Sequence, residues 1–416
     1  MKFTVVIPTR ERCDTLRATL RTCVGQDHDD LTILVSDNAS TDATRDVVES
    51  FHDPRIRYVN TGARVSMARN WEFALGHVED TENYVMYLGD DDGLLPHALD
   101  DVGALLRDTG VAAVSWKKAE YMWPSYAIKP WRNLAIVPLQ NHLFRYDGDR
   151  VLRDVRNLWI PYYRCPTLYN SFVDARVLHD LRRRDGGVFF RSSIPDAYSG
   201  YALLARIPWY AYSTRPFSLN GGSGHSTGVS LGGNRDNPGP RTRFLAEMDI
   251  PPHPKLWPLP GSTLLAVMEA LYQANDHALD GRLTMIRPMI LASFFREISG
   301  HSAERWGDAV ALLERCATEG DDPALHRAIA VFRRLIPNSP RSVETPPRRI
   351  GLDGNHMLWV DLDPHGVTDV DGAAQWIGHL LGPYQRPAEL RRYRGTDKLR
   401  TRLGAWVARR VPDFTL

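Results

Sequence analysis

The chain has 416 residues, of which 43% are hydrophobic and 24% charged, and its net charge is +1. This composition is typical of a globular protein of roughly two or three domains, and the balanced charge favours neither nucleic acid nor acidic partners. The four cysteines lack CxxC spacing, so we expect no disulfide framework. The N-terminus becomes charged too early for a signal peptide, and no apolar run approaches the roughly 20 residues of a membrane helix. We therefore expect a cytoplasmic protein without a transmembrane segment.

Strand-like and helix-like segments alternate over the first 120 residues. Apolar and β-branched runs predict buried strands at 2–8, 31–36, 56–60, 84–88 and 111–116. Apolar residues at helical spacing and helix-start residues such as Ser66 and Pro96 predict the intervening helices. The alternation is typical of βαβ units and predicts an α/β fold with a mostly parallel sheet flanked by helices.

Three polar clusters follow predicted strands, at the edge where parallel sheets bind ligands. These clusters are residues 9–11, 37–42 and 90–92. The last contains three consecutive aspartates, which repel each other unless a cation lies among them. Hard oxygen ligands without nearby Cys or His suit Mg²⁺ or Mn²⁺, so this strand end is a candidate site for a metal that holds a diphosphate. The alternative is a solvated acidic turn that bends at Gly93.

Several motifs in the same region resemble those of family 2 glycosyltransferases of the GT-A fold. The matching segments are VVIPT at 5–9, Gln26, VSDNASTDAT at 35–44, ARN at 68–70 and YLGDDD at 87–92. Their order and spacing are more specific than any single motif, and no GxGxxG follows the first strand as in a nicotinamide-binding domain. The resemblance implies a GT-A fold and a nucleotide-sugar donor.

The resemblance also implies roles for individual residues. The residues implied to bind the nucleotide sugar are Pro8, Thr9, Arg10, Glu11, Asp37, Asn38, Asn70, Asp90 and Asp91. The family's aspartate motif maps onto Asp90 and Asp92, with Asp92 as the direct metal ligand and Asp90 as a second ligand or a sugar contact. Many members carry Asp where this chain has Gly89, which leaves open which pair of aspartates binds the metal. Many also carry an aromatic residue and Asn where this chain has Arg10 and Glu11, so the nucleobase contacts stay open. Local alternatives are a helix N-cap for Asp42 and a solvated helix position for Asn70.

Two later segments complete the predicted site. A helix is expected to begin at Pro195-Asp196, where inverting family members place a catalytic carboxylate, so Asp196 is the candidate base that deprotonates the acceptor. A helix N-cap is the alternative for Asp196 and does not exclude that role. The glycine-rich stretch 219–233 predicts a mobile lid over the diphosphate. Within it, His225 is a candidate metal ligand or a solvated loop histidine. The candidate phosphate donors are Ser223, Ser226 and Thr227.

The pattern changes after about residue 235, where prolines become frequent. Helical spacing follows at 262–279, 283–298, 303–318 and 323–335, and a short strand is expected near 358–363. We therefore predict a GT-A catalytic domain at 1–240 and a proline-rich connection with a mainly helical domain at 241–416. The basic tail from Arg386 favours a helix docked on its own domain or on a dimer partner over one lying on a membrane surface.

These patterns predict a metal-dependent glycosyltransferase that uses Mn²⁺ or Mg²⁺ and inverts the anomeric centre. It would move a sugar from a nucleotide-diphosphate sugar to a soluble acceptor, either a small molecule or an envelope precursor. The main alternative is a GT-A-like mutase that interconverts the pyranose and furanose forms of a nucleotide sugar without an acceptor. A third interpretation is a non-catalytic module that binds nucleotide sugars.

Overall fold

The computed structural model describes residues 1–79, 81, 83–226, 239–257, 262–340 and 350–395. The first part of the chain alternates as predicted, and its elements end within about three residues of the expected positions, as is usual for such boundaries. Its strands are β1 (Lys2–Thr9), β2 (Leu31–Asp37), β3 (Ile56–Asn60), β4 (Asn83–Tyr87), β5 (Gly93–Leu94) and β6 (Ala113–Trp116). Its helices are α1 (Cys13–Val24), α2 (Thr44–Glu49), α3 (Met67–Leu75) and α4 (Ala98–Thr109). Ser66 caps α3 as expected, because its side chain accepts the backbone N–H of Arg69.

The next segment adds further strands and three helices. The strands are β7 (Ala119–Met122), β8 (Leu134–Pro138), β9 (Leu143–Asp147), β10 (Ser171–Asp174), β11 (Trp209–Ser213) and β12 (Ser218–Gly222). The helices are α5 (Gly148–Arg156), α6 (Ala175–Arg184) and α7 (Pro195–Leu203). The last strands of the described chain are β13 (Gly351–Leu352), β14 (Met357–Asp361) and β15 (Leu390–Arg392).

Within the described residues these strands form two sheets. The larger sheet has nine strands in the order β15-β9-β11-β6-β10-β4-β1-β2-β3, and the smaller has six in the order β13-β14-β8-β7-β12-β5. Strand β1 pairs in parallel with β2 and β4, while β10 runs antiparallel to its neighbours β4 and β6. The predicted α/β fold class with a mostly parallel sheet is confirmed.

The C-terminal region is mainly helical, as predicted. It contains α8 (Gly239–Ala246), α9 (Thr263–His277), α10 (Arg287–Ile298), α11 (Ala303–Glu319), α12 (Pro323–Leu335) and α13 (Val370–Leu381). Large apolar side chains such as Leu271, Phe295 and Phe332 are fully buried between these helices. Their cluster is continuous with that of α7, so burial of apolar surface joins the helical region to the α/β part.

Residues 350–395 return to the α/β part of the molecule. Strand β14 pairs with β8, β15 pairs with β9, and α13 packs on α1 with Ile377 fully buried. The expected strand near residue 358 is therefore present, as β14, whereas the basic amphipathic segment from residue 396 lies outside the described residues. In the part of the chain that is described, none of the helices combines the length and apolar character that crossing a bilayer requires.

Candidate active site

The three polar clusters meet at one edge of the large sheet. Strand β1 lies between β4 and β2, and Thr9 at its end is in register with Asp37 at the end of β2. A cavity of about 390 Å³ opens at this edge. The predicted site residues that line it are Pro8, Thr9, Arg10, Glu11, Asn38, Asn70, Asp90 and His225. Its wall does not include the predicted residues Asp37, Asp91, Asp92 and Asp196.

Asp90 is paired with an arginine from the start of α1. The Nη1 atom of Arg12 lies 2.7 Å from Asp90 Oδ1, and its Nη2 atom donates to the carbonyl oxygen of His225 at 2.6 Å. The Asp90 side chain is only 4% exposed, so burial raises the pKa of its carboxyl group while the Arg12 charge opposes that rise. Burial lowers the pKa of the Arg12 guanidinium, but the charges of Asp90 and Asp91 raise it, and the net shift is upward. Arg12 therefore supplies a counter-charge to the acidic strand end.

The other two aspartates of the cluster are held by donors from the glycine-rich stretch. Asp91 Oδ2 accepts the hydroxyl groups of Ser223 at 2.6 Å and Ser226 at 2.7 Å. Asp92 Oδ1 accepts the backbone N–H of Gly221 at 2.6 Å. Burial, together with the charge of Asp91, raises the pKa of Asp92 to about 6. The two serines predicted to contact phosphate bind Asp91 in this structure, and Thr227 lies outside the described residues.

The predicted mobile lid is wrong for residues 219–222, which form part of a strand. Residues 219–222 belong to β12 and pair with β7, and the start of the same strand, at residues 218 and 219, pairs with β5. A Cβ atom on Gly221 would lie 1.7 Å from the carbonyl oxygen of Asp91, so glycine is required there for close approach of two backbone segments rather than for motion. Of the rest of the predicted lid, residues 223–226 form a turn whose two serines bind Asp91, and residues 227–233 lie outside the described residues.

Gly89, where many family members have Asp, also has a structural reason. A Cβ atom there would lie 2.2 Å from the hydroxyl oxygen of Tyr169 and 2.8 Å from Asp92 Oδ2. Tyr169 donates this hydroxyl to Asp92, and its ring lies 4.3 Å from the Lys118 ammonium nitrogen. The Tyr169 hydroxyl therefore fills the space that a side chain at position 89 would need.

We expect Gly89→Asp to lower the free energy of unfolding by about 1–3 kcal/mol, the usual effect of overpacking, because the new side chain collides with Tyr169. Urea unfolding measures this change. Tyr169→Phe removes the colliding hydroxyl, so the double variant should recover part of the loss in a double-mutant cycle. A Gly89→Asp protein with unaltered stability would contradict this explanation.

The predicted metal ligands Asp90, Asp92 and His225 do not form a ligand set in this structure. Asp90 is paired with Arg12, and Asp92 accepts two backbone N–H groups. The Nε2 atom of His225 lies 3.6 Å from Asp14 Oδ2. Across the described residues, no group of three or more His, Cys, Asp or Glu side chains is arranged to hold a metal ion. The donor chemistry suits Mg²⁺ or Mn²⁺, but the oxygens are already paired with protein donors, so the arrangement does not fit a bound divalent ion.

Several predicted nucleotide-binding residues form hydrogen bonds within the protein. Asp37 is 1% exposed and accepts from the Tyr58 hydroxyl at 2.6 Å and the Asn60 amide at 3.0 Å. Asn70 is buried rather than solvated and bonds to Ser36. These side chains hold the strand ends and α3 together around the cavity.

Two further polar residues of the cavity wall, Glu11 and Asn38, are also held by neighbours. Glu11 has a left-handed backbone, with φ of 52°, and its carboxylate accepts the backbone N–H groups of Thr41 and Asp42. The Asn38 amide bonds to the backbone of Val65. A non-glycine residue with positive φ is uncommon, so Glu11 is a conformationally restricted position in the wall.

One wall of the cavity comes from the segment that contains α8. Phe244, Glu247 and Met248 line the cavity, and Arg10 forms a 2.6 Å ion pair with Glu247. A second ion pair joins Arg69 to Asp249 at 2.8 Å. The region beyond residue 240 therefore contributes directly to the cavity.

Asp196 lies in the first turn of α7, close to the acidic strand end. The N-cap of this helix is Ile194, so the N-cap alternative for Asp196 is wrong. Its Oδ2 atom accepts the Tyr162 hydroxyl at 2.9 Å. Burial lowers the pKa of Lys118, and the charges of Asp92 and Asp196 both oppose that shift. Asp196 therefore shares an electrostatic cluster with Asp92.

Sequence reasoning did not identify some residues that build this site. Arg12 adjoins the predicted cluster at 9–11, and the need for a cation beside three aspartates was a signal that could have found it. Tyr169 lies 77 positions after Asp92, and no motif around it in the sequence indicates a role in the site. Phe244 lies in the proline-rich segment that was interpreted as a connection.

Comparison with known proteins places residues 4–161 in a recognised family, described as Glycosyl transferase family 2. A validoxylamine A glucosyltransferase of Streptomyces hygroscopicus subsp. jinggangensis is 48% identical over 74 residues, which are 16% of this chain and 18% of that protein. A GalNAc(5)-diNAcBac-PP-undecaprenol beta-1,3-glucosyltransferase of Campylobacter jejuni is 34% identical over 100 residues, 24% of this chain and 32% of that protein. The chain thus spans less than a third of the length of either relative.

Two solved structures align loosely with about 80% of this chain. Residues 1–349 of S. aureus TarS in complex with UDP-GlcNAc align with a TM-score of 0.43 at 14% identity, covering 80% of this chain and 89% of that one. The mannosyltransferase PcManGT of Pyrobaculum calidifontis, in complex with GDP-Man and Mn²⁺, aligns with a TM-score of 0.36 at 20% identity. That alignment covers 80% of this chain and 87% of the mannosyltransferase chain. The family match, the α/β fold and the meeting of the motifs at one sheet edge agree, and residues 4–161 of this chain match Glycosyl transferase family 2.

Proposed function

We propose that this protein transfers a sugar from a nucleotide-diphosphate sugar to an acceptor hydroxyl group. The observation that carries the proposal is the cavity at the carboxyl ends of β1, β2 and β4, within a family 2 domain. Ligands of open α/β sheets bind at this edge. Arginines at positions 10, 12, 64 and 243 line the same cavity and suit a ligand with a diphosphate.

Asp196 is proposed as the base of the reaction. The acceptor oxygen attacks the anomeric carbon, the bond from that carbon to the diphosphate oxygen breaks, and the acceptor proton passes to the Asp196 carboxylate. A single displacement of this kind inverts the anomeric centre. Support comes from the position of Asp196 beside the cluster that contains Asp92 and Lys118, and from the Tyr162 hydroxyl, which orients one carboxylate oxygen.

The names of the relatives supply acceptor candidates. One relative is named for validoxylamine A and another for an undecaprenol-linked saccharide, which correspond to a small molecule and an envelope precursor. No step of the proposed reaction is assigned to the divalent ion that the resemblance implied, because the aspartate oxygens are already paired with protein donors. The domain boundary at residue 240, a homodimer and a cytoplasmic location also stay predictions from the sequence.

We expect the protein to release nucleoside diphosphate from one of a panel of UDP-, GDP- and dTDP-sugars, faster when a suitable acceptor is present. Chromatography of donor, nucleoside diphosphate and glycosylated acceptor measures this. Validoxylamine A and undecaprenyl-diphosphate-linked saccharides are the first acceptors to test. Formation of a ring isomer from donor alone would support the mutase instead. A protein that neither binds nor turns over any donor would overturn the proposed function.

A further inference from the structure

We propose that the Arg12 guanidinium binds the diphosphate of the donor directly, so that donor binding does not require a divalent cation. This inference rests on the proposed function, because it concerns the way in which the same cavity holds the donor. It replaces the predicted metal at the acidic strand end with a cation that the chain itself provides.

Arg12 lies in the cavity wall and has N–H groups that are not used in bonds within the protein. Its side chain is 22% exposed and lines the cavity. One N–H of Nη1 binds Asp90 and one of Nη2 binds the His225 carbonyl. A guanidinium has five N–H groups in one plane, so up to three remain for a ligand. This planar arrangement matches phosphate oxygens.

The contacts of Arg12 fix its orientation. Asp90 is buried at the end of the β4 segment, and a buried carboxylate with a charge-assisted bond of 2.7 Å holds the guanidinium in one geometry. Two other arginines of the wall differ in this respect. Arg10 and Arg64 pair with Glu247 and Glu11, whose side chains are 31% and 30% exposed. Arg12 is therefore the better-ordered cation for a phosphate group.

The position of α1 adds to the positive potential. This helix begins at Cys13, immediately after Arg12, and has 12 residues. The N-terminus of a helix carries a partial positive charge that favours anions. An anion held by Arg12 would lie beside that helix end.

The carboxylate oxygens of the three aspartates are largely occupied by hydrogen bonds from the protein itself. Asp91 accepts two serine hydroxyls, and Asp92 accepts the backbone N–H groups of Gly221 and Gly89. Arg12 compensates the charge of Asp90, and these neutral donors satisfy the oxygens of Asp91 and Asp92. The charge that a divalent ion would balance is already balanced in part by Arg12 and Lys118.

The test compares binding of UDP and GDP to the full-length protein in EDTA and in Mn²⁺ by isothermal titration calorimetry. We expect equal affinity in both conditions for the unaltered protein. Arg12→Gln should weaken nucleoside diphosphate binding by at least about tenfold, as expected for loss of bonds to a charged group, and leave binding of the free nucleoside unchanged. The affinity of Arg12→Lys for nucleoside diphosphate should lie between those of the unaltered protein and Arg12→Gln, because lysine keeps the charge but not the planar donors.

Arg55→Gln is the matched control. Arg55 pairs with Asp53 at 2.7 Å, is 21% exposed, and lies outside the cavity wall. It should lose stability as Arg12→Gln does but keep diphosphate affinity. Binding by the unaltered protein only in Mn²⁺, or full affinity in a folded Arg12→Gln protein, would overturn the inference and leave the proposed function standing. Failure to bind any nucleoside diphosphate in either condition would instead overturn the proposed function.

Discussion

Asp196→Asn should reduce sugar transfer by about 10²- to 10⁴-fold, the usual contribution of a general base, while donor binding is retained. The substitution removes the proton acceptor but keeps a side chain of the same shape. Its amide oxygen can still accept the Tyr162 hydroxyl, which binds Asp196 at 2.9 Å. Asp196 is not part of the cavity wall that would hold the nucleotide, so we expect nucleoside diphosphate affinity to stay unchanged. Single-turnover rates and calorimetry on the same preparation separate the two effects.

Two variants sharpen this test. Asp180→Asn removes a surface carboxylate on α6 that pairs with Arg184 and should leave transfer unaltered. Tyr162→Phe removes only the bond that orients Asp196 and should lower the rate less than Asp196→Asn does. Full turnover by a correctly folded Asp196→Asn protein would assign the base to another residue.

The meeting of the polar clusters could be predicted from sequence because it follows from strand order and direction. Residues 9, 37 and 90 each follow a strongly apolar run, and the carboxyl ends of adjacent parallel strands lie at one edge. The four helices between residues 262 and 335 were also predictable, because their apolar residues repeat at helical spacing and their ends carry caps such as Ser262 and Asp322.

The partners of each functional side chain could not be predicted, because they come from distant parts of the chain. The Tyr169 hydroxyl reaches Asp92 from 77 positions away, and the Ser223 hydroxyl reaches Asp91 from 132. Local propensity contains no information on such contacts. Gly221 shows the same limit. Its glycine-rich surroundings indicate a mobile loop by composition, but its missing side chain permits close packing of β12 against the acidic cluster.

Gly221→Ala should destabilise the protein by more than the roughly 1–3 kcal/mol typical of overpacking, and should abolish transfer. The new Cβ would lie 1.7 Å from the Asp91 carbonyl oxygen and 2.7 Å from Trp123 Nε1. Backbone, unlike a flexible side chain, cannot move aside locally, because β12 is hydrogen-bonded to both β7 and β5. The substitution would break the 2.9 Å bond from Trp123 to Asp91 and displace the N–H that binds Asp92.

Gly307→Ala is the matched control, with an effect of opposite sign. Gly307 lies on the exposed side of α11, and a Cβ there would meet nothing within 4 Å. Alanine should therefore stabilise the protein by about 0.5–1 kcal/mol through its higher helix propensity. Urea unfolding of both variants measures the difference. If Gly221→Ala unfolded at the same urea concentration as the unaltered protein and kept its activity, then β12 would not be packed against the acidic cluster in solution, and the contacts of Asp91 and Asp92 would have to be reassigned.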